Sequence, residues 1–321
     1  MRVANEAPAA FRSSNDRPGP IGLIRNAIFD VWSRRRLIGY MVRADIKKRG
    51  VNTVLGNVWW VLDPLITMLI YVLVMTIIFQ RSTPDFPLFL LSAMVPFKWF
   101  TATIGSATGA VIGKEALIKQ IMFPKIILPV TSALSQVVGF LFGMLVLFVV
   151  LLVLYTSHLT IQVVWVPLIA VVQFFFVLGF TFMVSAVTVF YRDVGILIGH
   201  FMRLLFWITP ILWSFNAVAG RGVALEESMA DADKALGLPI GTLFSILHYN
   251  PIAILLESYR QCIYGRIGAI TLDDGRKELI WKPATHPDFM MLAIIFVSGV
   301  VFIVIGTIIF KRVEPAFAKL L

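Results

Sequence analysis

Long apolar runs alternate with short polar segments along most of the chain. Six runs are long enough, or nearly so, to cross the roughly 30 Å hydrocarbon layer of a membrane as helices. The fifth is the shortest and contains Pro210, so a kink or a re-entrant end is expected there. The pattern therefore predicts an all-α polytopic membrane protein. The predicted spans are 58–79, 86–113, 126–156, 163–190, 200–217 and 288–310.

The composition agrees with a membrane-embedded chain. Of the 321 residues, 59% are hydrophobic and 14% are charged, and the mean hydropathy is +0.87. Soluble domains have roughly 25% charged residues. A single soluble core of this length cannot bury so much apolar surface, whereas a bilayer accepts it. The composition therefore excludes a soluble enzyme.

Lys and Arg are concentrated on one side of the predicted spans. Segment 1–57 holds eleven of them, and the loops 114–125 and 191–203 hold three and two. The short loops on the other side, 80–85 and 157–162, hold one and none. Because cytoplasmic loops carry the excess of Lys and Arg, both termini are expected to be cytoplasmic. The net charge of +10 is then explained by anionic lipid at these ends, with no nucleic-acid partner.

Two segments precede the first span. Residues 1–20 are rich in Pro, Ala, Arg and Ser, so they are predicted to be disordered, with no cleavable signal peptide. In 21–56, apolar residues alternate with basic ones, which predicts an amphipathic helix in the cytoplasmic membrane interface. Trp32 and Tyr40 favour this interpretation, because such rings prefer the interface. A solvated basic tail is the alternative.

The loop 218–287 is long and mixed in character. It has seven basic residues and eight carboxylates, but a loop of this length translocates largely regardless of its charge. Its middle part, 240–264, is apolar with polar interruptions. We predict either short re-entrant helices in the outer leaflet or a small extracytoplasmic cap.

Residues that could carry chemistry are scarce in the predicted spans. Carboxylates occur only near span ends, which leaves little for a proton- or sodium-driven cycle. Segment 109–115 resembles a phosphate loop, but it has one residue too few between its glycines and Glu115 in place of Ser or Thr. The four histidines have no metal-ligand spacing, and Cys262 is the single cysteine. No catalytic or metal site is predicted, so the energy for any transport should come from a partner.

The loop 114–125 is a candidate docking surface for such a partner. Glu115 and Lys119 form a favourable i,i+4 pair and Pro124 ends the helix, which predicts a short helix with an exposed apolar tip. Exposed apolar tips often mark docking surfaces; a loop that grazes the bilayer is the alternative. The predicted coupling residues are Ile118, Ile121, Met122, Phe123, Pro124 and Lys125, with Arg192 and Asp193 in the next cytoplasmic loop.

Five groups of residues occur along the chain in a characteristic order. They are Leu55-Gly56 with Trp59 and Pro64; Phe89 to Ala93 with Pro96 and Trp99-Phe100; Phe123-Pro124-Lys125 with Leu128-Pro129; Tyr191 to Val194; and Asn250-Pro251 with Glu257 and Arg260. In this order they resemble the membrane subunits of ABC-2-type polysaccharide exporters, which export O-antigen, teichoic acid, capsule and galactan chains. The resemblance covers about 36–315. Ala93 and Asp63 depart from it, because a glycine and an uncharged polar residue are more usual there.

The resemblance implies a complex in the bacterial cytoplasmic membrane. Two copies of the chain would assemble with two separate ABC ATP-binding subunits, and ATP and Mg would bind to those partners. The pair would form a channel for a polyprenyl-diphosphate-linked glycan. Twelve helices can enclose a wide hydrated pore, whereas six with few polar faces cannot.

Three groups of residues are candidates for contact with such a substrate. Aromatic rings can guide sugars through their C–H faces, although anchoring in the membrane interface is the alternative for each ring. Arg and Lys at the cytoplasmic entrance would bind a diphosphate. Lys98 is expected to face a water-filled channel. The candidates are Arg43, Lys47, Lys48 and Arg49 at the entrance; Trp59, Trp60, Phe97, Lys98, Trp99 and Phe100 in the channel; and Tyr249, Asn250, Pro251, Glu257, Tyr259 and Arg260 at an outer gate.

Two other functions stay open on the sequence alone. A membrane-embedded enzyme acting on polyprenyl-linked sugars would need a catalytic carboxylate at an interface, for which Glu257 with Arg260, or Asp273 with Asp274, are the candidates. An exporter of drugs or small lipids from the same superfamily is the second alternative.

Overall fold

The computed structural model describes residues 19–51, 53–78, 85–213, 249–271 and 277–320. These residues form a bundle of helices with one small β-hairpin. The helices are α1 Pro20–Ser33, α2 Arg35–Gly50, α3 Trp59–Leu73, α4 Phe86–Thr108, α5 Glu115–Gln120, α6 Ile127–Leu154, α7 Val166–Phe190, α8 Val194–Ile208, α9 Pro251–Ile263 and α10 Phe289–Leu320. Short turns of other helix types are Gly56–Val58, Val74–Ile78, Ile112–Lys114, Thr156–His158 and Ile161–Trp165.

Five of the helical segments are long and apolar enough to cross a membrane. They are Trp59–Ile78, Phe86–Thr108, Ile127–Leu154, Ile161–Phe190 and Phe289–Phe317. Each overlaps one of the predicted spans, although the second ends at Thr108 and not at 113, and the last extends to Phe317 and not to 310. The chain is therefore a multi-pass membrane protein.

The helix at the fifth predicted span differs from the prediction of 200–217. Helix α8 begins at Val194 and ends at Ile208, so it has 15 residues. Thr209 is extended (ψ 141°) because the ring of Pro210 disfavours helical backbone at the residue before it. Residues 214–217 of the predicted span lie outside the described part of the chain.

Helix α4 lies at the centre of the bundle and α3 lies at its edge. In the most apolar 18-residue stretch of α4, 78% of the residues are buried inside the bundle. In the corresponding stretch of Trp59–Ile78, only 6% are buried. Helix α4 contacts α3, α6, α7 and α9. The weak packing of α3 leaves one side of it available to lipid or to another chain.

Helices α7 and α10 approach each other closely because glycines line their contact. A Cβ atom at Gly299 would lie 2.8 Å from the backbone nitrogen of Phe176, and one at Gly179 would lie 2.6 Å from Cβ of Phe302. Small residues allow this approach, as is usual for helix pairs in membranes.

Contacts between distant elements define two ends of the bundle. At one end, which we name the α1 end, Lys311 of α10 contacts Asp30 of α1 at 2.6 Å. At the other, which we name the hairpin end, Nε2 of His158 is 2.8 Å from a carboxylate oxygen of Asp85. The ring of Trp281 in the hairpin also contacts His158, with 4.6 Å between centroids.

Two predicted helices are shorter than expected. The predicted interface helix 21–56 consists of α1 and α2, which are separated at Arg34. The predicted loop helix is confined to Glu115–Gln120, since the chain becomes extended at Ile121. The disorder predicted for 1–20 falls almost entirely outside the described residues.

The described part of the loop 218–287 contains a helix and a hairpin. Asn250 caps α9, because its side-chain oxygen accepts a hydrogen bond from the Ile252 amide at 3.0 Å. The antiparallel strands β1 Arg266–Thr271 and β2 Lys277–Lys282 follow, and Gly265 enters them with φ +107°. The hairpin departs from the all-α prediction, and residues 218–248 lie outside the described part.

Candidate functional site

A groove lined by residues of α2, α4 and α6 consists of two adjoining cavities. The entrance cavity, of about 440 Å³, lies at the α1 end. The membrane cavity, of about 360 Å³, lies beside α3. Arg49 and Gln136 line both cavities, so the two adjoin each other.

The entrance cavity carries more positive than negative charge. Lys48, Arg49 and Lys114 line it, and Asp45 is the carboxylate among its lining residues. Asp45, Lys48 and Arg49 share one face of α2, because residues three and four positions apart are neighbours on a helix. Lys114 donates to Asp45 at 2.8 Å. The cavity therefore has a net positive charge that can attract an anion.

Arg49 marks the junction between the cavities. Its Nη1 donates a hydrogen bond to the side-chain oxygen of Gln136 at 3.1 Å. Partial burial lowers the pKa of Arg49, and the charge of Asp45 offsets part of that shift. An arginine stays protonated under such conditions, so the junction remains cationic.

The membrane cavity combines an ion pair with aromatic rings. Lys98 donates to Asp63 at 2.6 Å and to the Thr67 hydroxyl at 2.8 Å. The side chains of Lys98 and Asp63 are 34% and 63% exposed. Charges at membrane depth normally face water or a partner, and here each is the partner of the other. Trp59 and Trp60 also line the cavity.

The structure brings four of the six predicted channel residues into this cavity. Trp59, Trp60, Lys98 and Trp99 line it. Phe97 and Phe100 are buried in the apolar core, at 4% and 5% exposure. Both belong to the central cluster around α4.

Two of the four predicted entrance residues line the groove. Lys48 and Arg49 do so, whereas Arg43 and Lys47 line neither cavity; all four are exposed on α2. Sequence reasoning missed Asp45 as a member of this site. The sequence could have indicated Asp45, because it is the single carboxylate between Asp30 and Asp63.

The predicted coupling residues divide into exposed and buried ones. We name residues 112–125 the coupling segment. Met122 is fully exposed and Ile121 is 55% exposed, whereas Ile118 is buried and Phe123 packs against the apolar cluster at the α1 end. The exposed apolar tip is therefore smaller than predicted. Pro124 and Lys125 lead directly into α6, which begins at Ile127.

The loop that carries Arg192 and Asp193 lies close to the coupling segment. The hydrogen bond from Lys119 lowers the pKa of Glu115, and the charges of Lys119 and Arg192 lower it further. Asp193 directly precedes α8, and its backbone carbonyl accepts from the Ile196 amide at 3.0 Å. Arg192 and Asp193 are both exposed, so this part of the surface is open to a partner.

Two of the six predicted outer-gate residues are buried inside the bundle, and two are exposed. Tyr259 and Arg260 are 0% and 1% exposed, whereas Tyr249 is 70% exposed. Asn250 and Pro251 form the start of α9.

Arg260 ties α9 to the chain that follows α8. Its Nη1 donates to Glu257 at 2.9 Å, and its Nη2 donates to the carbonyl oxygens of Pro210 and Ile211 at 2.8 and 3.2 Å. Its guanidinium also lies 3.8 Å from the centroid of the Phe89 ring. Glu257 is engaged in this contact, which makes it a poor candidate for acid–base chemistry. Asp273 and Asp274 lie outside the described residues.

Comparison with known proteins places the chain in a family. Residues 36–222 match the sequence profile of the ABC-2 type transporter family. The chain belongs to this family. The match extends from α2 to beyond α8, so it includes both cavities and the coupling segment.

Several relatives of this ABC-2 family member carry the same name. An O-antigen export system permease protein RfbA from Myxococcus xanthus is 27% identical over 235 residues, which is 73% of this chain and 83% of the relative. One from Klebsiella pneumoniae is 24% identical over 287 residues, which is 89% of this chain and 95% of the relative. Another from Klebsiella pneumoniae is 23% identical over the same length. The alignments with the Klebsiella proteins thus extend beyond the family match and cover most of both chains.

Proposed function

We propose that this ABC-2 family member is the membrane subunit of an ATP-driven exporter of a lipid-linked polysaccharide. The observation that carries the proposal is the pair of adjoining cavities, one lined by three cations and the other by tryptophan rings and the Asp63–Lys98 pair. The names of its relatives, O-antigen export permeases, support the same substrate class. The chain itself is not expected to catalyse a reaction.

The chemistry of the two cavities fits the two parts of such a substrate. Lys48, Arg49 and Lys114 can bind a lipid diphosphate at the cytoplasmic surface through charge-assisted hydrogen bonds. In the membrane cavity, Trp59 and Trp60 offer ring faces to the C–H faces of sugars. The Asp63–Lys98 pair offers both acceptors and donors to hydroxyl groups. The substrate inferred is a polyprenyl-diphosphate-linked glycan.

We infer six membrane crossings with both termini in the cytoplasm. The Lys311–Asp30 contact supports an even number, because it joins the last helix to the first at one end of the bundle. Helix α7 ends near that end and α10 begins at the other, so the chain between them must cross once more. Helix α8 is the element available for this crossing. The excess of Lys and Arg supports a cytoplasmic location for the α1 end.

Helices α1 and α2 are proposed to lie in the cytoplasmic membrane interface. Exposed apolar side chains on α1 support this, since Ile28, Phe29 and Trp32 are 66%, 70% and 69% exposed. Such residues are expected to enter the lipid while the neighbouring cations contact headgroups.

The proposed assembly contains two copies of the chain and two ABC ATP-binding subunits. A groove open on one side becomes a channel only when another surface covers it, and a second copy supplies one. The exposed apolar residues Leu69, Ile70 and Ile77 of Trp59–Ile78 are available to that copy or to lipid. The exposed Ile121 and Met122 are the proposed contact for the ATP-binding subunit, which would bind ATP and Mg.

Matched charge variants on α2 test the proposal. The chain and its ATP-binding partner are reconstituted in vesicles, and ATP-dependent movement of a fluorescent polyprenyl-diphosphate-linked oligosaccharide is measured. The double variant Lys48→Gln/Arg49→Gln removes cations from the groove and should reduce transport by about tenfold or more, since each lost charged contact weakens binding severalfold. Arg43→Gln/Lys47→Gln removes the same charge from residues that do not line the groove.

The comparison of the two variants decides the result. Equal losses would mean that general surface charge, and not the groove, attracts the substrate. Transport or a chemical reaction by the chain alone, without nucleotide, would overturn the proposed function altogether.

A further inference from the structure

The coupling segment is fixed at its beginning to α2. Lys114 contacts Asp45 at 2.8 Å, and both side chains are partly buried, at 35% and 24% exposure. The same two residues form part of the wall of the entrance cavity. A displacement of the coupling segment therefore acts directly on the side of α2 that carries Lys48 and Arg49.

The coupling segment is also fixed at its other end, by an ion network that joins three elements. The backbone N–H of Lys125 donates to Glu314 of α10. The second oxygen of Glu314 contacts Lys311 at 2.9 Å, and Lys311 contacts Asp30 of α1 at 2.6 Å. The carboxylate of Glu314 thus lies at the start of α6, where the helix dipole favours a negative charge.

Burial distinguishes this network from an ordinary surface ion pair. The side chains of Lys311, Glu314 and Asp30 are 10%, 14% and 24% exposed. The i,i+4 pair of Lys119 and Glu115 on α5 is 51% and 40% exposed by comparison. Loss of one partner from a buried network leaves an uncompensated charge, so the contacts of the network are strongly interdependent.

An apolar cluster lies beside the network and joins the same elements. Ile118 of α5, Ile38 and Met41 of α2, and Phe317 of α10 are all buried in it. Helix α10 is weakened at this place, because Pro315 cannot donate a hydrogen bond to the Lys311 carbonyl one turn earlier. The end of α10 can therefore follow the coupling segment without bending the rest of the helix.

We propose that Glu314 and Lys311 are positioning residues for energy coupling, which lock α1 to the end of the coupling segment. Together with Lys114 and Asp45, they make the coupling segment, α1 and α2 move as one unit. A displacement of α5 by a docked ATP-binding subunit then reaches the entrance cavity through both contacts. This inference rests on the proposed function, in that it assumes an ATP-binding partner at the coupling segment.

The test measures both transport coupling and the movement of α1. Phe29→Cys provides a label site on α1, where the side chain is 70% exposed, while the buried Cys262 stays unlabelled. In the reconstituted complex, ATP should change the signal of a spin label at this site. Glu314→Gln keeps an acceptor for the Lys125 amide but removes the charge. It should reduce both the label response and the glycan moved per ATP hydrolysed by about tenfold.

Asp288→Asn is the matched control. It makes the same chemical change on the same helix at the hairpin end, where Asp288 caps α10 by accepting from the Met290 amide at 3.0 Å. Asn caps a helix about as well as Asp, so transport and label response should stay unchanged. Lys311→Arg keeps the cation and should retain most of the coupling. Equal amounts of glycan moved per ATP hydrolysed in Glu314→Gln and Asp288→Asn would overturn the proposal.

Two further outcomes separate this inference from the proposed function. If Glu314→Gln fails to assemble, Asp30→Ala breaks the network from α1 without changing α10, and normal coupling in that variant would overturn the proposal. If the parent complex does not move the glycan but ATP still changes the α1 label, and Glu314→Gln abolishes the change, the proposed substrate is wrong and the coupling role stands.

Discussion

Arg260 is almost completely buried, and its hydrogen bonds reach two other parts of the chain. It donates to the Pro210 and Ile211 carbonyls, which have no helical partner after the end of α8. Arg260→Met should lower the free energy of unfolding by about 3 kcal/mol, because these carbonyls and Glu257 lose their donor. Glu257→Gln should cost less than about 1 kcal/mol, since Glu257 is 22% exposed and Arg260 keeps its carbonyl bonds. Thermal unfolding in detergent measures both, and equal losses would contradict this account.

His158 is held at both ring nitrogens at the hairpin end. Nδ1 is 2.9 Å from the carbonyl oxygen of Tyr264, and Nε2 is 2.8 Å from Asp85. Asp85→Asn can still donate to Nε2 while Nδ1–H donates to Tyr264, so it should be nearly neutral. Asp85→Ala leaves a buried nitrogen without a partner and should cost about 1–3 kcal/mol.

The backbone of Asp85 adds to the difference between these two variants. Its φ is +46°, in the left-handed region that Asn tolerates better than Ala. The apparent melting temperature should therefore fall clearly for Asp85→Ala and little for Asp85→Asn. The opposite order would show that the hydrogen bond to His158 does not hold this end together.

At the residue scale, the sequence predicted that a side chain such as Lys98 needs a partner, but it did not predict which residue that partner is. Lys98 inside a span required water or a countercharge, and Asp63 supplies the countercharge. Lys114 pairs with Asp45, 69 positions away, and Lys311 pairs with Asp30, 281 positions away. Such pairs depend on how the helices assemble, which no local pattern reveals.

Close contact between α7 and α10 holds two long apolar helices together. Gly299→Ala should push them apart, because the new Cβ would lie 2.8 Å from the Phe176 nitrogen, a backbone atom. The expected loss of stability is about 1–3 kcal/mol, as for other overpacked sites. Gly105→Ala on α4 is the control, since no atom lies within 4 Å of its new Cβ. Denaturant unfolding compares the two, and similar losses would mean that the close approach is not required.

At the element scale, hydrophobic runs predicted the long helices, whereas single residues such as Pro210 determine where a helix ends. The five long spans follow from apolar length alone. The end of α8 at Ile208 follows from Pro210, but its start at Val194 lies in a region of ordinary apolar composition. The sequence did not predict the hairpin, because β1 and β2 have only six residues each. Strands this short give too weak a period-two pattern to be recognised between helical segments.

At the scale of the whole molecule, charge and contacts give the same arrangement of the ends. The sequence predicted cytoplasmic termini from the distribution of Lys and Arg. Independently, the Lys311–Asp30 and Lys114–Asp45 contacts gather α1, α2 and the coupling segment at one end of the bundle. Each cavity is formed between helices far apart in sequence, so the groove could not be predicted from the chain alone.

Thiol labelling tests this arrangement in intact cells. Met122 in the coupling segment and Lys282 in the hairpin are both exposed, and the natural Cys262 is buried. A membrane-impermeant maleimide should label Lys282→Cys from outside the cytoplasmic membrane. It should label Met122→Cys only after the membrane is opened, because the excess of Lys and Arg keeps that end inside. Labelling of Met122→Cys in sealed cells would reverse the orientation, and it would place the cationic entrance on the side where no ATP-binding subunit can dock.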